Sequence, residues 1–95
     1  MPKFLIEVEH DAETVACARV AKIFLESGSH FLSQAEWGCM DGDHHAWMMV
    51  EVDSKQEAMA IVPPGLRSRT RVVGLNHFSL GQIDDILKKH AGPTA

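Results

Sequence analysis

No run of this sequence is apolar for anything like the ~20 residues that span a bilayer. The first residues also lack the long apolar segment of a secretion signal, so a cytoplasmic protein is the expectation. Basic residues are in short supply too. Nine Lys and Arg stand against thirteen Asp and Glu, for a net charge of −4. Nucleic acid and anionic membrane are therefore not expected partners, because both are gripped by positive surface. Cysteine is scarce: Cys17 and Cys39 lie in unlike contexts and read as free thiols rather than a disulfide. The metal-binding spacings C-x-x-C, H-x-x-x-H and H-E-x-x-H do not occur. Nor is there a linker, a low-complexity segment, or any internal repeat beyond two βα units.

What remains is an ordinary globular composition, 45% apolar and 23% charged over 95 residues. It suits one domain over residues 1–90, with a tail at 91–95 that frays. Residues 3–9 alternate as a strand, with Phe4, Ile6 and Val8 on one face and Leu5, Glu7 and Glu9 on the other. Asp11 has the chemistry of a helix cap, Gly28 of a stop, and Ala16, Cys17, Val20, Ile23 and Phe24 make the apolar stripe between them. Val15 and Leu25 fall outside that stripe.

Residues 30–53 hold both tryptophans and three of the six histidines. Asp41-Gly42 divides them into two expected strands, 31–39 and 44–52, joined by a tight turn that needs glycine's positive φ. A two-residue turn puts Cys39 opposite His44, Trp37 opposite Ala46 and Ala35 opposite Met48 on a dry face. Glu36 then meets Trp47, and Gln34 meets Met49, on the other. Ser54 and Glu57 form a capping box for a short helix that Pro63-Pro64 ends. A fourth strand is expected over 71–78, with either Val73 and Leu75 or Val72 and Phe78 inward. Ser79 and Gln82 open a last helix carrying Leu80, Ile83, Ile86 and Leu87 on one side.

The order β-α-β-β-α-β with an extra C-terminal helix is that of a ferredoxin-like α+β fold. Right-handed crossovers give an antiparallel sheet of order 4-1-3-2 with its helices on one face. The other face is left bare, carrying Leu5, Glu7, Leu32, Gln34, Glu36, Trp47 and Met49. That patch is too apolar for a monomer to leave open, so a homodimer through the bare face is expected. The topology, the Asp-Gly turn and residues 46–58 (A-W-M-M-V-E-V-D-S-K-Q-E-A) resemble the dimeric α–β barrel superfamily. The chain is most similar to that superfamily's small bacterial families of undetermined role. Its muconolactone isomerases, antibiotic-oxidising monooxygenases and haem-degrading enzymes have catalytic motifs with no counterpart here.

Two candidate sites follow. At the hairpin end, His10, Cys39, Asp41 and His44 offer imidazole, thiolate and carboxylate, a donor set for Zn, Ni or Cu. The plainer reading has the aspartates serving the turn and Cys39 as a small buried hydrophobe. Against the bare face, Trp47 and Met49 form an apolar wall for a small organic ligand, with Glu7, Gln34, Glu36 and Asn76 as polar groups. A carboxylate desolvated there has its pKa raised and becomes a general base. The expected function is thus a homodimer that binds a small molecule or a metal ion. The alternative is a cofactor-free isomerase- or monooxygenase-like enzyme working in the cleft. Arg67, Arg69 and Arg71 read as edge-strand charge or an anion grip. His30 and His77 are placed at the far end of the sheet.

Overall fold

A computed structural model describes residues 1–90; the expected frayed tail lies outside them. The chain is α+β. Strand β1 (Lys3–Glu9) is followed by α1 (Thr14–Glu26), the one-turn α2 (His30–Ser33), β2 (Glu36–Trp37) and β3 (His45–Glu51). Next come α3 (Lys55–Ile61), β4 (Thr70–Leu75) and α4 (Leu80–His90). The four strands form one antiparallel sheet in the order β2-β3-β1-β4, compatible with 4-1-3-2 taken from the other edge.

The alternation of β1 sets the layers. Phe4, Ile6 and Val8 face a core that also holds Val20 and Phe24 of α1, Ala46, Met48 and Val50 of β3, Ala58 of α3, and Val62. Burying each large aliphatic or aromatic side chain of this set stabilises the fold by about 1.5–3 kcal/mol. The register of β4 against β1 settles its ambiguous faces. Val72 packs on the core, Val73 and Leu75 share the open face with Leu5, and Phe78 is exposed beyond the strand.

Several boundaries depart from the sequence-based expectation. Asp11 does not cap α1; the helix starts after Glu13, with no side-chain cap, and Asp11 pairs with Arg69 at 3.0 Å. Ile23 is exposed, so the helix stripe narrows to Val20 and Phe24 with Ala16 and Cys17 at its margin; Val15 and Leu25, outside the stripe, are exposed as well. The expected strand over 31–39 begins instead as α2, because Ser29 Oγ accepts the Leu32 N–H at 3.2 Å and nucleates a helical turn. Leu32 is consequently core rather than open face, and Gln34 ends the helix. The two-residue turn is also replaced. Cys39–Asp41 coil into a 3₁₀ turn closed by Gly42 at φ +82°. The pairing of Glu36 with Trp47 and Trp37 with Ala46 is nonetheless as expected. Proline ends α3 at the anticipated place but also starts a 3₁₀ segment, Pro64–Arg69, ahead of a shorter β4.

Both capping boxes form. Ser54 Oγ accepts the Glu57 N–H, while Glu57 reaches back to the Asp53 N–H. Ser79 Oγ likewise accepts the Gln82 N–H at 3.1 Å, and Gln82 Oε1 accepts the N–H of the cap residue Ser79 itself at 2.8 Å. Yet α4 buries none of its residues: Leu80 is 77% and Leu87 61% exposed. The molecule is correspondingly long, 57 × 29 × 21 Å. No helix among the described residues is long and apolar enough to cross a membrane.

Candidate metal centre at the hairpin end

His10 follows the last residue of β1, and its N–H donates to the His44 carbonyl at 3.1 Å. That bond ties the strand end to the far side of the β2–β3 loop. The loop itself is fixed by Gly38. Its carbonyl accepts the N–H groups of Asp41 and Asp43, and its N–H donates to His45 O. A β-carbon at Gly38 would stand 2.7 Å from both Asp43 O and the Trp47 ring, so only glycine lets the loop fold down this tightly. Cys39, the next residue, is thereby turned toward His10.

The result is a cluster. His10, Cys39 and His44 each present one donor atom, all within 4.8 Å of one another. His10 is 3% exposed, its ring 5.8 Å from Trp37 and 5.9 Å from His44. Its Nδ1 lies 3.0 Å from the Asp11 carbonyl, which can only accept, so Nδ1 carries the proton. Nε2 is then left with its lone pair, 3.1 Å from Cys39 Sγ, and takes the thiol's hydrogen bond. This is the tautomer in which a histidine binds a metal through Nε2 while a backbone carbonyl orients the ring. His44 Nδ1 is buried with no hydrogen-bond partner, the single such side-chain atom among the described residues. A buried imidazole nitrogen without a partner costs about 1–3 kcal/mol, which an added electrophile or donor would remove.

The thiol is not a ready nucleophile. Burial, and next the neighbouring Cys17 thiol, push Cys39 up to about 11, so it stays protonated at neutral pH. A metal ion displaces such a proton as it binds. No family model, curated protein or solved structure matches this chain. What the cluster does must therefore be read from its own atoms.

Asp41 is exposed and lies outside the tight group, contrary to its expected place among the ligands. His45 is also outside it, bonded to Asp43 and stacked on Trp47 at 5.6 Å. The three arginines do not wait for an anion. Arg67 bonds Val62 and Ala60 carbonyls, Arg69 pairs with Glu9 and Asp11, and Arg71 with Glu7.

The open-face residues separate. Gln34, Glu36, Trp47 and Met49, with Leu5 and Met48, line a hollow of about 240 Å³. Asn76 sits elsewhere, in a hollow with Lys3, Leu75 and His77 that touches the first only through Met49. Glu7 is not the raised carboxylate anticipated. Trp47 Nε1–H donates to it at 3.1 Å and Arg71 Nε–H at 3.0 Å. Those bonds, Trp47 first, hold its carboxyl below the ordinary value of 4.5 despite partial burial. His30 bonds the Gln34 side chain at 3.1 Å.

Proposed function

We propose that this protein binds a transition-metal ion between His10, Cys39 and His44, and does so as a homodimer of the ferredoxin-like, dimeric α–β barrel kind. The observation that carries the metal reading is the convergence of two imidazoles and a thiol within 4.8 Å, from segments far apart in the chain. A thiolate with two neutral imidazoles favours Zn or Cu over hard cations, with Ni also accommodated. Tetrahedral ligands of such an ion stand roughly 3.3–3.7 Å apart; the His10–Cys39 contact, at 3.1 Å, is already close to that spacing, and the wider pairs lie within 4.8 Å. Two unpaired thiols fit a reducing compartment, the cytoplasm.

The test is metal analysis of the purified protein, with thermal unfolding under added Zn, Ni and Cu. A free ion concentration about 100-fold above Kd stabilises the folded state by about 2.7 kcal/mol. The Cys39→Ser variant should lose that gain. No retained metal and no shift in the wild type would end the reading.

The dimer rests on the open face, where Met49 is 67% exposed beside half-buried Leu5, Trp47, Val73 and Leu75. Light scattering should return twice the chain mass. Met49→Lys should return the single mass, with folding stability changed by less than about 0.5 kcal/mol. A wild-type monomer at micromolar concentration would refute it. The hollow beside Trp47 favours a second reading, a small organic ligand held by Gln34 and Glu36. Its enzymatic form has lost Glu7 as a base, because that carboxylate is already committed to Trp47 and Arg71.

A further inference from the structure

Three ligands leave a four-coordinate ion one position short, and what fills it decides the chemistry. Water there makes an open, reactive centre; a fourth side chain makes a closed one. Cys17 lies on α1, where its N–H makes a bond to Glu13 O in the first turn. Cys17 and Cys39 are both free thiols. Cys17, Cys39 and His44 share the wall of one hollow of about 360 Å³ that opens past Thr14, Ala18 and Met40. An ion can enter by that route and meet both sulfurs. Asp41 shares a second hollow with His10 and His44, but it is exposed and would give up its hydration to bind.

We propose that Cys17 supplies the fourth ligand, making a closed Cys17–Cys39–His10–His44 centre for Zn²⁺ that holds the ion rather than presenting it to a substrate. The proposal rests on the three-residue metal reading above. Cys17 stands outside the tight group, so its sulfur must swing toward the hollow it shares with Cys39 and His44; a single χ1 step moves a cysteine sulfur by roughly 3 Å. Charge favours this set: two thiolates neutralise Zn²⁺, whereas a single thiolate leaves a net positive charge in a partly buried place.

Cobalt(II) replaces zinc and reports its ligands by absorption, so it is the probe of choice on the full chain. Wild-type protein should show tetrahedral visible bands and a sulfur-to-cobalt transition. In Cys17→Ser the latter should fall to about half per bound cobalt, and zinc affinity should drop at least about tenfold. Zinc should also protect both thiols from alkylation, read by mass. Equal spectra and affinity in wild type and Cys17→Ser would overturn the fourth ligand and leave the three-residue site standing. So would a zinc-loaded protein in which Cys17 alkylates at its metal-free rate while Cys39 is protected. Absence of cobalt bands in the wild type would remove both proposals.

Discussion

At the hairpin end of the sheet, His10 is 3% exposed and touches a thiol. On the open face of the same sheet, Met49 is 67% exposed, and α4 carries apolar side chains into water. The first region keeps polar groups dry, and the second keeps apolar groups wet. Each inverts the ordinary sorting of side chains, and each inversion has its own remedy. Dry imidazoles would be relieved by an ion, wet thioethers and leucines by another surface.

The sharpest way to break this contrast is to remove the polarity at the first region. His10→Phe keeps a ring of similar size against Trp37 and Phe24's side of the core. It should abolish the metal-induced gain of about 2.7 kcal/mol at 100-fold excess over Kd. The melting temperature without metal should not fall. A variant that still responds fully to zinc would show that His10 does no more than pack.

On the open face the corresponding test is Glu7→Gln. The lowered carboxyl of Glu7 contributes stability that is complete above its unfolded value of 4.5 and is lost as pH falls through the folded value. The variant should be about 1 kcal/mol less stable at neutral pH, the scale of a hydrogen bond to a charged group in a partly exposed pair. Denaturation midpoints of the two proteins should converge in acid. Parallel curves would mean that Trp47 and Arg71 gain nothing from the charge.

The smallest effects compare the two capping boxes. Ser54→Ala should lower global stability by about 1 kcal/mol, because α3 is packed through Ala58. Ser79→Ala should leave global unfolding within about 0.3 kcal/mol and only speed amide exchange in α4, a helix that packs on little within one chain. Equal losses would show that α4 is coupled to the core.

Much of this was legible in the residues. The alternation of β1 is visible because one face is wholly core and the other is not, and the β2–β3 register survives because alternation on both strands demands it. The turn misled for a physical reason. Asp41-Gly42 does need a left-handed glycine, but the residue that shapes the loop is Gly38, which is required by an indole ring distant in sequence. Phe31 and Leu32 look like strand residues, and the overriding signal was Ser29 as a cap. His10, Cys39 and His44 were reachable from topology, since strand ends bring them to one place. Cys17 was not, because a helix stripe gives cysteine the look of a small core residue, and only packing brings it to the hollow that Cys39 and His44 line.

The contact between His10 and Trp37 has a practical side. The two indoles of this chain occupy opposite faces of the β2–β3 pair, and only that of Trp37 lies against the histidine cluster, 5.8 Å from the His10 ring. An open-shell ion such as Cu²⁺ arriving there should darken one fluorophore and spare the other, whereas a closed-shell ion should dim neither. With a metal bound as proposed, the protein would carry its own optical gauge of occupancy, needing no dye and no label.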